Sequence, residues 1–266
     1  MKPGTVSMPY SKISCETRGD VAIIRLNDEK TLNAASPEMA GELRDALDMV
    51  GTSSRALILT GVGRGFCSGA NLGGLDVRAP DYDAGAVLKT HYSPLMLQLR
   101  ALPIPFITAV NGAAAGLGCA LALAGDLVIA AVSSYFLQAF RRIGLVPDGG
   151  SAFLLTRAAG RARAMEMMLL GDRISAAKAL EWGLINRVVP SETLEETALT
   201  LADELAAGPA KALSAIRKMC WDALETGFGP QLDAERVLQR DAGRTADHRE
   251  GVAAFLEKRP ARFTGR

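Results

Sequence analysis

Cys67 and Ser68 lie side by side in a glycine-rich run, GRGFCSGANLGG, that spans residues 63–74. Either side chain could act as a nucleophile if a base stood beside it. The chain has only two histidines, His91 and His248, and neither lies in a recognisable catalytic context. A nucleophile elbow would need Gly-x-Ser-x-Gly around Ser68, whereas the sequence is FCSGA. Nucleophilic catalysis by this pair of side chains is therefore disfavoured.

The sequence also argues against a nicotinamide cofactor and a metal ion. GVGRGF, at residues 61–66, matches a dinucleotide-binding fingerprint only in part, because the sixth position needs glycine and is Phe66. The four cysteines are spread along the chain without Cys-x-x-Cys spacing. Together with the two histidines they form no recognisable metal site. We therefore expect neither a metal nor a cofactor.

The glycine-rich turns could instead bind a ligand through their backbone N–H groups. A second such turn, NGAAAGLG at residues 111–118, opens a predicted helix. Glycine lets the backbone approach a ligand closely, and the unpaired N–H groups at the start of a helix favour negative charge. Two amide donors from separate turns could thus form an oxyanion hole. Two tight turns that merely allow close packing would give the same pattern, and spacing alone does not separate these interpretations.

The composition is that of an ordinary globular protein. The 266 residues are 48% hydrophobic and 22% charged, with a net charge of +1, so no basic excess indicates nucleic-acid binding. The amino terminus has no apolar signal core, which favours a cytoplasmic protein. Residues 106–132 are almost continuously apolar, but Asn111, Asp126 and four glycines interrupt them. This segment is therefore predicted to be a buried core rather than a membrane span.

Short apolar runs alternate with helical patterns in the first part of the chain. A helix is predicted between the first two runs, with Ser36 as its N-cap and Pro37 at its first position. A second helix, apolar on all sides, is predicted at residues 113–125. This alternation predicts an α/β fold with a largely parallel sheet that is buried on both faces. The predicted strands are residues 20–27, 55–61, 105–112 and 126–132.

Amphipathic helices separated by glycine or proline dominate the sequence after Gly144, with one short strand predicted at residues 186–189. The arginine-rich faces of these helices are most simply solvated surface, and a subunit interface is the competing interpretation. No internal repeat, low-complexity linker or clear break between independently folding domains is visible.

Four segments occur in the order found in the enoyl-CoA hydratase/isomerase, or crotonase, superfamily. The resemblance runs from about residue 15 to residue 266 and rests on the segments LTGVGRGFCSGANL, AVNGAAAGLGCALALAGDLVIA, FRRIGLVPDGGSAFLLTR and GDRISAAKALEWGLINRVV. It implies a crotonase-like core at residues 1–190, with a twisted, mostly parallel sheet built from ββα units. It also implies an all-helical region at residues 191–266 that takes part in assembly into homotrimers or homohexamers.

The resemblance also implies an acyl-CoA substrate, whose thioester oxygen lies between two backbone N–H groups. Matching the motifs position by position assigns these donors to Ser68 and Leu117. Coenzyme A enters as part of the substrate, and no separate cofactor or metal is implied. The motifs assign the substrate and CoA pocket to Lys30, Leu32, Ala34, Phe66, Gly69, Ala70, Asn71, Leu72, Gly116 and Phe140.

The sequence departs from the family at two acid–base positions. Hydratases of this family carry glutamates where this chain has Ala120 and Phe140. Asp148 follows Pro147 in GLVPDGG, and the loop resembles that of the isomerase branch, which includes ring-1,2-epoxyphenylacetyl-CoA isomerases. There, an aspartate at this position moves protons along the acyl chain. The alternative role for Asp148 is that of a helix N-cap. We expect apolar neighbours such as Phe140 to raise its pKa.

The pattern therefore favours an acyl-CoA isomerase that uses the Ser68 and Leu117 amides and the Asp148 carboxylate. An enoyl-CoA hydratase with an atypical site and a non-catalytic CoA-thioester-binding protein are the alternatives. Residues 81–99 are expected to cover the acyl group. Their mixed side chains fit either an aromatic or an aliphatic chain of medium length: Tyr82, His91, Tyr92 and Met96.

Overall fold

The structure, a computed structural model, describes residues 10–73 and 76–266, which contain ten strands and ten α-helices. The strands are β1 (Ile13–Arg18), β2 (Val21–Leu26), β3 (Ala56–Gly61), β4 (Gly65–Cys67), β5 (Phe106–Val110), β6 (Ala113–Ala115), β7 (Leu127–Ala131), β8 (Tyr135–Leu137), β9 (Ile174–Ser175) and β10 (Arg187–Val189). The helices are α1 (Pro37–Ser53), α2 (Ser93–Ala101), α3 (Leu117–Leu123), α4 (Ser151–Ala158), α5 (Gly160–Leu170), α6 (Ala176–Glu181), α7 (Leu194–Ala206), α8 (Ala210–Ala223), α9 (Phe228–Gly243) and α10 (Ala246–Glu257).

These strands form two mostly parallel sheets. The larger sheet has the order β1-β2-β3-β5-β7-β10, and only the β1–β2 pair is antiparallel. The smaller sheet has the order β4-β6-β8-β9, with β8–β9 antiparallel. The α/β fold with a mostly parallel sheet core and a helical carboxyl-terminal region, α8–α10, is thus confirmed. The sequence did not predict the second sheet, because its strands are only two or three residues long.

The larger sheet is buried on both faces, which explains its continuous apolar runs. One face packs against the main core, which contains the inner side of α1. The other face packs against α7, whose Leu194 and Leu201 lie in a cluster with Ile58 and Ile107. The four strands predicted from the sequence are β2, β3, β5 and β7 of this sheet.

Local sequence signals predicted the start of α1 correctly, but the start of the next predicted helix was wrong. The Ser36 side chain accepts a hydrogen bond from the Met39 amide at 3.1 Å, and Pro37 is the first helical residue, as predicted. The helix predicted at residues 113–125 was wrong at its start. Residues 113–115 form β6, and Gly116, with φ of +53°, separates this strand from α3. Gly116 can adopt this left-handed conformation because it has no Cβ.

A buried arginine fastens the carboxyl-terminal region to the core. Arg217 of α8 is 6% exposed, and its Nε donates to Asp126 Oδ2 at 2.7 Å. Its other nitrogens donate to three carbonyl oxygens at the end of α2, those of Leu99, Arg100 and Leu102. The predicted strand at residues 186–189 is β10, which pairs with β7. No helix in the described residues is long and apolar enough to cross a membrane.

Candidate active site

The smaller sheet brings three separate loops to one edge. Strands β4, β6 and β8 are parallel neighbours, so their carboxyl ends point the same way. Ser68 and Gly69 follow β4, Gly116 and Leu117 follow β6, and Phe140 lies three residues after β8. The two glycine-rich turns found in the sequence therefore meet at this edge.

The two turns pack closely against each other. A Cβ on Gly116 would lie 3.4 Å from the Phe140 ring and 3.9 Å from the Gly69 Cα. A Cβ on Gly69, whose φ is +109°, would lie 3.0 Å from the Ala115 carbonyl oxygen. Gly69 is therefore needed both for close packing and for its conformation, and Gly116 is needed for its φ of +53°. Close packing accounts for both glycines, and the oxyanion hole stays a prediction.

Neither Cys67 nor Ser68 has the surroundings of a nucleophile. Cys67 is completely buried, and burial raises the pKa of its thiol to about 11, so the thiolate is suppressed at neutral pH. The Ser68 hydroxyl donates to the Thr31 carbonyl oxygen at 2.8 Å. This hydroxyl therefore fastens the turn to the preceding segment.

The two backbone amides assigned from the sequence differ in their surroundings. The Leu117 amide, at the first position of α3, has no hydrogen-bond acceptor among residues 10–73 and 76–266. The Ser68 amide donates to the Leu32 carbonyl oxygen at 3.0 Å. An incoming oxygen would thus find the Leu117 amide open and would have to share the Ser68 amide with Leu32.

Asp148 does not cap a helix. Helix α4 begins at Ser151, and Gly150 at its N-cap position provides no side-chain hydrogen bond. The Asp148 Oδ1 atom is buried and has no hydrogen-bond partner in the described residues. Burial raises the pKa of Asp148 to about 6. The capping alternative is therefore excluded, and the expected rise in pKa has desolvation as its cause.

Glycine also sets the position of Asp148. A Cβ on Gly149, whose φ is +60°, would lie 2.7 Å from Leu117 Cδ1 and 2.9 Å from the Ala120 Cβ. The loop that carries Asp148 thus rests directly on the start of α3, where the open amide lies. Ala120 and Phe140, the two positions at which the sequence departs from the hydratase pattern, are both buried.

The predicted CoA-binding segment lies against the first glycine-rich turn. The Ala35 amide donates to the Gly69 carbonyl oxygen, and the Asn71 amide donates to the Ala35 carbonyl oxygen, both at 2.8 Å. This pairing places Lys30, Leu32 and Ala34 beside Ser68. The exposed residues of the group are Lys30 and Leu72, whereas Ala34 is buried and Ala70 and Asn71 are half-buried.

Two residues next to this region are fully buried. Phe66, predicted to contact substrate, lies in the hydrophobic core. Asn33, which the sequence reasoning missed, is fully buried, and its Nδ2 donates to the carbonyl oxygens of Val62 and Gly65 at 2.9 and 2.8 Å. Its φ is +59°, and the asparagine itself was the available sequence signal, since this residue tolerates the left-handed region better than most.

The segment expected to cover the acyl group contains one turn of π-helix, Leu88–Tyr92, ahead of α2. The Tyr92 ring is buried, and its hydroxyl donates to the Ala35 carbonyl oxygen at 2.6 Å. Burial, with a smaller contribution from the Asp148 charge, raises the pKa of Tyr92 to about 12. Tyr92 therefore lies near Asp148 and holds the CoA-binding segment, whereas Tyr82, His91 and Met96 are partly exposed.

One cavity lies away from this site. It has a volume of about 520 Å³, lies beneath α8, and is lined by apolar residues such as Leu154, Ile216 and Trp221. None of the residues assigned from the sequence motifs lines it. The meeting point of the two glycine-rich turns, with Asp148 above it, remains the candidate active site because the polar groups converge there.

The sequence and the fold are both similar to those of known proteins. A 1,2-epoxyphenylacetyl-CoA isomerase of Escherichia coli is 48% identical over 92% of this chain and 95% of that protein. A Rhodobacter capsulatus protein with the name "Probable enoyl-CoA hydratase" is 45% identical over 97% of this chain and 100% of its own length. The crystal structure of an enoyl-CoA hydratase subunit I of Geobacillus kaustophilus superposes with a TM-score of 0.90 at 33% identity, covering 97% of this chain and 100% of that one.

The family model described as enoyl-CoA hydratase/isomerase matches residues 16–266, which is nearly the whole chain. Its match includes both glycine-rich turns, the Asp148 loop and the carboxyl-terminal helices. The match extends over nearly the whole chain, and the fold is shared, so the resemblance does not rest on single motifs. The chain belongs to the enoyl-CoA hydratase/isomerase family.

Proposed function

We propose that this protein is an acyl-CoA isomerase in which Asp148 moves a proton along the acyl chain of a thioester. The observation that carries this proposal is the half-buried Asp148, whose buried Oδ1 atom is unpartnered in the described residues, beside the open Leu117 amide. A carboxylate that is neither capping nor paired is available to a substrate. A perturbed pKa in such a setting is typical of a functional group.

The backbone amides would stabilise the negative charge that the reaction creates. Removal of a proton next to a thioester turns the carbonyl oxygen into an enolate oxygen, and backbone N–H donors favour that charge. The Leu117 amide would donate fully to this oxygen. The Ser68 amide would share its hydrogen between this oxygen and the Leu32 carbonyl, as in a three-centre hydrogen bond.

Asp148 would act as both base and acid. With a pKa of about 6, it is mostly ionised at neutral pH and can still return a proton. In a 3-enoyl-CoA, it would remove a proton from C2, the electron pair would delocalise to the thioester oxygen, and the proton would return at C4. The double bond then lies between C2 and C3, and no atom is gained or lost.

Two relatives differ in what their names report. The relative at 48% identity is named an isomerase of an epoxide-bearing thioester, which supports isomerisation and includes a ring epoxide among the substrates to test. The relative at 45% identity is named a hydratase, which keeps hydration by an atypical site as the second candidate. The buried apolar Ala120 and Phe140 weigh against hydration, since neither can activate water. The unpartnered Asp148 weighs against a protein that binds CoA thioesters without turnover.

We also propose that the carboxyl-terminal helices join copies of the chain. Large apolar side chains remain exposed on α9 and α10, among them Phe228 and Phe255, which are 81% and 83% exposed. Surfaces of this kind mark interaction sites in soluble proteins. A second copy is the occupant that fits, because closed self-assembly is the common way to cover such a surface.

Replacing Asp148 by Asn should abolish isomerisation but leave the fold intact, because the amide keeps the size of the side chain and removes the base. The raised pKa means that the native state holds its proton more tightly than the unfolded state, for which the ordinary value is 3.8. The native state therefore loses stability as pH rises from about 4 to about 6 and does not regain it above. At pH 7 the variant should melt at or above the wild-type temperature.

The assay should follow the shift of the 3-enoyl-CoA double bond and the hydration of a 2-enoyl-CoA, together with thioester affinity by calorimetry. Wild type should isomerise much faster than it hydrates, and the variant should still bind. Hydration by wild type at about 10 per second, an ordinary enzyme rate, would contradict the proposal. So would binding without turnover across a broad panel of acyl-CoAs.

Replacing Ser68 or Cys67 by Ala should retain most isomerase activity. Both variants keep the backbone amide, and the structure gives neither side chain the surroundings of a nucleophile. Steady-state kinetics on the two variants would test this expectation. A loss of ~100-fold in kcat for Ser68→Ala, comparable to removing an oxyanion donor, would mean that the hydroxyl itself acts on the substrate.

Light scattering at micromolar concentration should give a mass that is three or six times that of one chain. Phe255→Glu, which places a charge on the exposed α10 surface, should lower that mass without lowering helical content. The matched control is Val77→Glu, an exposed apolar residue outside α8–α10. A monomeric wild type, or equal masses for wild type and Phe255→Glu, would contradict an interface at this surface.

A further inference from the structure

The turn that carries Asp148 has no side-chain cap of its own. Gly149 and Gly150 both have positive φ, at +60° and +78°, and α4 begins at Ser151. Within the turn, the Ser151 amide donates to the Asp148 carbonyl oxygen at 2.9 Å. Two successive glycines give a backbone with many accessible conformations. Contacts outside the turn must therefore fix its single conformation.

Such a contact comes from Gln138, directly after β8. Gln138 is completely buried, and its Nε2 donates to the Ser151 Oγ atom at 3.1 Å. Ser151 is itself 1% exposed. The Ser151 amide in turn donates to the Asp148 carbonyl oxygen. The Gln138 bond therefore links the Asp148 turn to β8, which pairs with β6, the strand that Leu117 follows.

Gln138 also lies close to the elements that carry the open Leu117 amide. The preceding residue, Leu137, accepts a hydrogen bond from the Gly116 amide at 2.8 Å. Gln138 also lies near the buried Cys119 thiol of α3, whose pKa is raised by burial to about 12 and lowered by Gln138. Gln138 thus contacts the elements that carry both the open amide and the carboxylate.

The burial of Gln138 also needs an explanation. Its Oε1 atom is buried and has no hydrogen-bond partner in the described residues. Buried polar atoms are nearly always satisfied, so a side chain that leaves one unpaired is a costly way to fill the core. A methionine or leucine would fill a similar space without that cost. The hydrogen bond to Ser151 is the interaction that an apolar side chain cannot make.

We propose that Gln138 and Ser151 are positioning residues that hold the Asp148 turn over the thioester-binding amides. Gly149 lets the turn pack directly against Leu117 and Ala120, and the Gln138–Ser151 hydrogen bond holds the start of α4 next to the turn. The two residues do not touch the substrate. They keep the carboxylate aligned with the acyl carbon and keep water away from it. This inference rests on the proposed role of Asp148 as the base.

The test compares Gln138→Met, Ser151→Ala and the double variant with wild type. Each single variant should lower kcat for isomerisation about 10- to 100-fold, the effect of a small misplacement of a catalytic group. KM should stay within about 2-fold of wild type, since CoA contacts are unchanged. The double variant should be no worse than either single variant, because both remove the same bond. Ser151→Thr, which keeps the hydroxyl, should restore most of kcat.

A second readout does not depend on turnover. Carbon-13 NMR of the ligand-free protein, assigned with Asp148→Asn, should show the Asp148 pKa falling from about 6 towards 3.8 in both single variants, because the loosened turn admits water. Ser134→Ala is the matched control. Its hydroxyl is equally buried and donates to the Val110 carbonyl oxygen at 2.7 Å, away from the Asp148 turn. It should change neither kcat nor the Asp148 pKa.

The outcomes separate the two proposals. If wild type does not isomerise acyl-CoAs but the NMR shift appears, the positioning role stands and the proposed function fails. If folded Gln138→Met and Ser151→Ala keep both the wild-type kcat and the wild-type Asp148 pKa, the positioning role is overturned. Equal effects of Ser134→Ala would also overturn it, since a general loss of packing would then explain them. Should Gln138→Met not fold, Ser151→Ala, the smaller change, carries the same comparison.

Discussion

The whole site depends on how closely three loops approach the start of α3. Gly69 and Gly116 bring the first two loops together, and Gly149 presses the third onto Leu117 and Ala120, where a Cβ would come within 2.7 and 2.9 Å of side-chain carbons. A Cβ at position 149 would force these carbons to shift, and the φ of +60° there further favours glycine. Because the loops follow parallel strands or rest on α3, their positions are set by the sheet. Rigid elements can therefore hold a backbone amide and a carboxylate near the same small volume.

The electrostatics of the site follow from this crowding. Asp148 is half-buried, and its buried Oδ1 atom receives no hydrogen bond from any of the described residues. Desolvation disfavours the charged form, so the carboxylate becomes a stronger base than an exposed aspartate. Ala120 and Phe140, both buried at the edge, do not provide a second carboxylate to activate water. A single base whose Oδ1 atom is shielded from solvent suits proton transfer within the substrate better than addition of water.

Much of this arrangement was predictable from the sequence, although for different reasons. The strands of the larger sheet and helix α1 were predictable because apolar runs and the Ser36 cap act locally. Family membership was predictable because several motifs occur in one order. The smaller sheet was not, since strands of two or three residues carry too little pattern and exist only through pairing. The hydrogen bond between the Ser68 amide and Leu32, and the one between Gln138 and Ser151, join segments far apart along the chain, so neither has a local signal.

The central claim is that Asp148 is the base, and the pH dependence of wild-type kcat/KM for isomerisation tests it most directly. The substrate should be a 3-enoyl thioester of pantetheine, because the terminal phosphate of coenzyme A itself titrates near pH 6. Since kcat/KM reports ionisations of the free enzyme, it should rise with pH, pass its midpoint at about 6 and then level off. A midpoint near 4, the ordinary value for aspartate, or a rate independent of pH between about 5 and 8, would contradict the account.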